Sequence, residues 1–407
     1  MRFVTIVTHI ENLELRKDTG QLPYHMGKIP GVFSSLVSYY YTLKGGRNQG
    51  PVLLPPMNVN EDYPFLETEV KGLDLNFLEY EGRDSFFDKS VYHYLLKNSK
   101  KIDVLNLFHF SSENIFYTLV YKTLKPTGKV YLKLDIDIPY YKSKEHFFNI
   151  PKNAIGQAKL LVYSKIIQPL FFGLIHTISA ESKVGAAYFG QRFKISPKKI
   201  FLLQNGVDKN RIEGYIPKAK SFHEKENVLL TVGRIGTRQK NNEMLLDALS
   251  LVNLGNWKVL FIGNIEETFK PTIDGFFEKN PGKKDQVIFT GHLDAAPELY
   301  GYYDKANIFC LTSEDEGFHI SACEAAFFGN HLVLTDRIDC FDELTDNGKY
   351  GTKVKRNDAQ ELAGYLTQLI ENQEQLKDDC EKMKAHAFAN LTWQALIPKL
   401  YDRLNGK

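Results

Sequence analysis

The segment EDEGFHISACEAAFFGNHLVLTD, Glu314 to Asp336, carries two carboxylates, Glu316 and Glu324, eight positions apart across a glycine. Upstream, Ala306 to Thr312 is apolar and ends in polar residues, the pattern of a short buried strand. Gly317 permits a tight turn, and Ser321 to Phe328 is helix-compatible until Gly329 stops it. Such a strand–turn–helix unit directs free backbone N–H groups and the positive end of the helix dipole at one spot, where a phosphate fits. Glu316 sits at the mouth of that spot, with Glu324 about two turns along the helix. Carboxylates around an anion site suit a phosphate flanked by hydroxyl-rich rings, as in a nucleotide-sugar. The same residues also serve plain dipole compensation on a surface helix, so the rest of the chain must decide.

A basic counterpart lies upstream. Val228 to Val232 reads as a strand running into Gly233 and Arg234, and Arg238 and Lys240 follow before a helix that begins near Asn241. An arginine closing such a strand reaches the C-terminal edge of the sheet, where ligands bind in open α/β folds. Its guanidinium clamps a phosphate with two bonds, and a lysine adds a point charge. Together they can neutralise a diphosphate and support its departure as a leaving group. A solvated basic loop has the same composition.

These groups need a frame. Strand-like runs recur at Arg2–Thr8, Val104–His109, Lys129–Leu134 and Leu174–Ser179, then at Val228–Val232, Lys258–Ile262, Val287–Phe289, Ile308–Leu311 and Leu332–Leu334. Amphipathic helical windows such as Glu243–Val252 and Glu361–Ile370 lie between them. Alternation of this kind predicts an α/β protein with two Rossmann-like domains, parallel sheets and helices on both faces. The 407 residues suit two domains, and Gln204 to Asp208 is the turn signal between them. The expected domains are 1–205 and 206–385. The final segment, Ala385 to Leu404, reads as one helix with Trp393, Leu396, Leu400 and Leu404 on an apolar face.

Charge is uneven: residues 1–205 hold 26 Lys and Arg against 18 Asp and Glu, and residues 206–407 hold 25 against 31. The basic half points to anionic lipid or an acidic acceptor, or to nothing beyond solvated lysine-rich helices. No basic stripe accompanies a nucleic-acid module, so nucleic acid is not an expected partner. The four cysteines, Cys310, Cys323, Cys340 and Cys380, form neither a disulfide framework nor a metal-type pair, which suits a reducing cytoplasm. MRFVTIVTHI lacks the features of a signal peptide. Lys165, Gln168, Pro169 and His176 interrupt the apolar stretch Ala158–Ala180, which reads as a buried helix followed by a strand rather than a membrane span.

In order along the second half, FLLQNGVD (201–208), LLTVGRIGTRQKN (229–241), VIFTGHL (287–293) and EDEGFHISACEAAFFG (314–329) resemble the retaining nucleotide-sugar glycosyltransferases of the family-4 type, which have the GT-B fold with a cleft between two domains. The resemblance covers Ser179 to Leu404 well and the first 150 residues loosely. It implies that Arg234 and Lys240 hold the donor diphosphate, with Gly233 at the strand end and Arg238 sharing the role because the Arg-to-Lys spacing is one residue longer than usual. Glu316 would meet the donor sugar, backbone around Phe318, His319 and Ile320 would hold sugar and phosphate beside Gly317, and Glu324 would accept from the ribose hydroxyls. Gly263 would admit the nucleotide, and Leu293 would lie beside the base. The resemblance further implies a helix at 386–407 packing back on the first domain, no cofactor beyond the donor, a UDP-sugar as favoured donor, and a glycan, lipid-linked or protein acceptor. Transfer would retain configuration, by front-face attack or with Glu316 as nucleophile.

The family's first-loop glycine pair is absent, and Gly20 in KDTGQ is the candidate for approach to the donor phosphate. Arg337 to Cys340 stands where the family often has a second glycine pair. On the acceptor side His109 ends a strand, at a place where the family often has a histidine, and His9 follows the first strand. Asp135 and Asp137 form a D-x-D; with Arg and Lys already matched to the diphosphate, Asp135 reads as an acceptor-hydroxyl contact and no metal is expected. Tyr39, Tyr40, Tyr41, Tyr63, Phe65, Phe86, Phe87, Tyr92 and Tyr94 could stack on sugar rings or fill a core. Rival readings are a phosphorylase or synthase of the same fold, and a non-catalytic nucleotide-sugar or glycan binder.

Overall fold

The computed structural model describes residues 1–8, 10–39, 59–82, 84, 87–136, 138, 161–293 and 295–406. His9, Asp137, Tyr40, Tyr41 and Phe86 lie outside the described residues. The chain divides into two compact units. The first comprises Met1–Glu181, Gly185–Asn205 and Leu396–Lys407; the second comprises Ser182–Val184 and Gly206–Ala395.

The first unit is built on strands β1 (Arg2–Ile6), β2 (Phe33–Tyr39), β3 (Asp74–Leu78), β4 (Val104–Phe108), β5 (Lys129–Leu134), β6 (Thr177–Ala180) and β7 (Ile200–Leu202). They form a parallel sheet in the order β3-β2-β1-β4-β5-β6-β7. The second holds β8 (Val228–Val232), β9 (Lys258–Ile262), β10 (Val287–Gly291), β11 (Ile308–Leu311), β12 (His331–Thr335) and β13 (Gly351–Val354), parallel in the order β10-β9-β8-β11-β12-β13. Helices cover both faces of parallel strands, which explains the unbroken apolar runs. In the second unit Leu230, Ile262, Phe309 and Leu334 enter one core, while Leu229, Phe261, Cys310 and Val333 enter the opposite one. This is the period-two alternation of a sheet packed on both sides. The architecture is the α/β, two-domain arrangement expected from the alternation.

Helix starts are fixed by short acceptors. Asp208 Oδ1 caps Lys209–Tyr215 by accepting from the Asn210 and Arg211 amides at 3.1 and 3.4 Å. Asp358 caps Ala359–Glu371 through the Glu361 amide at 2.9 Å.

Three expectations need correction. The terminal segment is two helices, Gln373–Asn390 and Trp393–Leu404, broken at Thr392, whose hydroxyl accepts from the Ala395 amide at 3.3 Å and starts the second helix. Thr392 also bridges Val207 in the second unit, which diverts the chain. In the first unit Lys129 donates to the Leu404 carbonyl at 2.5 Å, and Arg403 to Thr177 at 3.3 Å. The second correction concerns the helix read as buried within Ala158–Ala180: it includes a π-helical turn, Tyr163–Ile167, before Gln168–Leu174, and Leu161, Val162, Ile166 and Leu170 are exposed. Among the described residues 161–174, Phe171 and Phe172 are the buried ones. The third is that the following strand starts at Thr177, since Leu174 still belongs to the helix.

Candidate functional site

The chemistry-bearing residues collect at the C-terminal edges of the two sheets, each unit separately. In the second unit Gly233 and Arg234 follow β8, Gly263 follows β9, and Glu314 to Glu316 follow β11. Lys240 ends the loop before helix Asn242–Leu251, whose N-cap Asn241 has φ of 45°. Thr312, just past β11, shares its hydroxyl hydrogen between the carbonyls of Lys240 and Asn241, at 3.1 and 2.9 Å. The Gln239 carbonyl accepts from the Glu314 amide at 2.8 Å, and the Gln239 side chain donates to the Asp315 carbonyl at 3.2 Å. The basic and acidic loops are thus stitched into one surface.

At its centre the Lys240 ammonium pairs with the Glu316 carboxylate and lies 2.8 Å from His319 Nε2. The side chains of Lys240 and Glu316 are only 11% and 12% exposed, so the pair is largely shielded from water. Glu316 is held by a parallel bridge to Ile338: its amide donates to the Arg337 carbonyl at 3.1 Å and its carbonyl accepts from Asp339 at 3.0 Å. The segment Arg337 to Cys340, where a glycine pair is usual, therefore serves as the rail for Glu316. Gly317 is not among the glycines with positive φ. The chain does bend at Gly317, directly after this bridge.

His319 is the N-cap residue of helix Ile320–Phe327 but makes no side-chain cap. Burial, then the Lys240 ammonium, hold its imidazole well below the ordinary histidine range. Its Nδ1 is 2.7 Å from Ser321 Oγ, which is 3.2 Å from the Val232 carbonyl. Phe318 and Leu293 pack, half-buried, against the core of this unit, and Ile320 opens the helix.

Arg234 is exposed and donates to Gln239 Oε1 at 2.9 Å, which brings it to the same loop, and Arg238 is exposed. Glu324 lies on the other side of the helix start: Tyr300 donates to it at 3.4 Å, and Arg211 donates to Tyr300 at 2.8 Å. The buried Tyr303 phenol is pushed well above its usual value by burial and by the Glu324 carboxylate. Gly263 has φ of 141°, and a Cβ there would stand 1.8 Å from the Gly233 carbonyl. The close approach this glycine permits is to backbone of the neighbouring strand end.

In the first unit His109 closes β4 in left-handed conformation, φ 64°, with its carbonyl accepting from Asn114 at 2.9 Å, and its side chain is exposed. Asp135 is exposed just past β5. Gly20 lies inside helix Asp18–Met26, where a Cβ would stand 2.5 Å from the Leu15 backbone; Leu15 accounts for the glycine. Sequence reading missed the cluster beside these residues. Lys133 is fully buried at the end of β5 and binds Glu181 Oε1 at 2.7 Å and Asp18 Oδ2 at 3.2 Å. The available signal was a lone lysine in the apolar run VYLKL.

The fold is that of GT-B proteins. The Anabaena protein HepE in complex with UDP superposes with a TM-score of 0.66 at 14% identity, over 100% of both chains. The lipopolysaccharide outer core galactosyltransferase WaaB, apo form, gives 0.65 at 14% identity, over 100% of this chain and 99% of that one. In sequence, residues 215–387 match the family described as "Glycosyl transferases group 1". They carry Arg234, Lys240, Glu316 and Glu324. The chain is 26% identical over 227 residues, 56% of its length and 59% of the relative's, to N-acetylgalactosamine-N,N'-diacetylbacillosaminyl-diphospho-undecaprenol 4-alpha-N-acetylgalactosaminyltransferase of Campylobacter jejuni. It is 25% identical over 228 residues to mannosylfructose-phosphate synthase of Agrobacterium fabrum, covering 53% of this chain and 49% of that protein. The chain thus spans 49% to 59% of the length of these curated relatives.

Proposed function

We propose that this chain transfers a sugar from a nucleotide-sugar donor, a UDP-sugar by preference, to a glycan, lipid-linked or protein-linked acceptor with retention of anomeric configuration. The observation that carries the reading is the Lys240 ammonium on the Glu316 carboxylate at the start of helix Ile320–Phe327. A diphosphate entering there displaces one carboxylate oxygen from the ammonium and gains Arg234 from the adjacent turn. Glu316, once released, accepts hydrogen bonds from donor-sugar hydroxyls. Glu324 serves the ribose, and residues 206–385 form the donor domain. His109 and Asp135, with the rest of 1–205, serve the acceptor.

Relatives support the choice of substrates. The name of the Campylobacter jejuni relative sets its acceptor on diphospho-undecaprenol, and HepE has been crystallised with UDP and with UDP-glucose. A peripheral contact with an anionic membrane would use the exposed Leu161, Val162, Ile166 and Leu170 beside Lys165. Among the described residues no helix is long and apolar enough to cross a membrane.

The test is nucleotide release from UDP-, GDP- and ADP-sugars in the presence of candidate acceptors. Lys240→Ala and Glu316→Ala should each lower turnover by about a hundredfold or more while leaving the circular dichroism unchanged. Wild-type turnover by both variants refutes the reading. Donor binding without any nucleotide release favours the non-catalytic binder, and turnover of a sugar-1-phosphate favours the phosphorylase.

A further inference from the structure

The donor site proposed for this unit takes backbone from His319 and leaves its buried ring without a role. We propose that His319 is a positioning residue that holds the Lys240 ammonium toward the donor diphosphate, with Ser321 fixing its tautomer; this rests on the donor-site reading just given. Lysine nitrogen has only hydrogens to offer, and it stands 2.8 Å from Nε2, so Nε2 must carry a lone pair. A neutral ring then has its hydrogen on Nδ1, which donates to Ser321 Oγ at 2.7 Å. Ser321 in turn passes its hydroxyl hydrogen to the Val232 carbonyl at 3.2 Å, at the end of β8. Every donor in this series meets an acceptor, and only one tautomer satisfies all three contacts.

The consequence lies in charge. Glu316 and His319 take two of the three ammonium hydrogens, leaving one for a phosphate oxygen. Glu316 cancels the charge that the diphosphate needs, whereas neutral imidazole orients the ammonium without cancelling it. When donor draws Glu316 to the sugar, His319 keeps Lys240 in place. His319 is 8% exposed, so few waters compete for that lone pair.

The test uses the full-length chain with UDP as probe. His319→Gln sets an amide oxygen near the position of Nε2, and His319→Leu removes the acceptor at similar volume. UDP affinity and donor KM should change by about threefold or less in the glutamine variant and worsen by about thirtyfold or more in the leucine variant, with kcat much less affected. Nitrogen-15 spectra of the donor-free protein should show His319 with its hydrogen on Nδ1. The proposal is overturned if the two variants bind UDP equally well, or if the hydrogen is on Nε2. Failure of the donor-site reading is separate: the wild-type chain then binds no nucleoside diphosphate and releases none, and the proposal goes with it.

Discussion

Thr312 holds Lys240 by the backbone: its hydroxyl is 3.1 Å from the Lys240 carbonyl, so the strand that leads to Glu316 also anchors the residue that Glu316 pairs with. One side chain thereby sets the spacing of both loops. Thr312→Val keeps the shape and strands two carbonyls. We expect UDP affinity to fall by about five- to tenfold, with a loss of roughly 1–2 kcal/mol in stability, read by calorimetry and denaturant unfolding. Unchanged affinity would detach Thr312 from the site.

The second unit should weaken in acid through His319. Burial and the Lys240 ammonium depress its pKa, and the groups facing it are Lys240, Ser321 and, through Lys240, Glu316. A depressed histidine lends stability that is fully present above the unfolded value near 6.5 and is lost as pH falls toward the folded value. The melting temperature of the wild type should therefore drop on acidification below about pH 6.5, with a shallower slope in His319→Gln. Parallel slopes would show that the ring does not titrate against Lys240.

The first unit should respond in the opposite sense through Glu181. Burial, opposed by Lys133 and assisted by Asp135 and Asp18, pushes its carboxyl up to about 8. A raised carboxyl lends stability below the unfolded value of 4.5, and that stability is lost as pH rises through about 8. Hydrogen exchange in β5 and β6 should accelerate between these limits beyond its intrinsic rate, and Glu181→Gln should remove the excess. An excess that persists in the variant would assign it to another group.

Sedimentation with vesicles checks the exposed stripe. Ile166→Glu and Leu170→Glu place charges on an already solvent-facing surface, so folding should be kept while binding to anionic vesicles falls by about tenfold. Equal sedimentation of wild type and variants would remove the membrane from the proposal.

What could be read in advance follows from where residues sit in the sheets. β4, β5, β8, β9 and β11 are interior strands with nearly continuous apolar runs, and their bounds are legible within a residue or so. β3 and β13 lie at sheet edges as DLNFL and GTKV, and β2 reads FSSLVSY; too few apolar residues mark them. Arg234 and Glu316 were legible as charges past strand ends, Lys240 as one just before a helix and Glu324 as one within a helix. The imidazole of His319 was not, because its partner Lys240 is 79 positions away and an N-cap residue normally turns its side chain to its own helix. Lys133 was hidden for a like reason: lysine within a strand is ordinarily assigned to solvent, and only Asp18 and Glu181 explain its burial.

The bond from Lys129 to Leu404 spans 275 residues, and that from Arg403 to Thr177 spans 226. During synthesis the earlier partner of each pair emerges long before the later one, with all of residues 206–395 translated in between. The amino-terminal sheet must then wait, with one flank uncovered, until the entire other unit has left the ribosome. Stalled or prematurely released chains should accordingly be prey for proteases and chaperones at that uncovered flank.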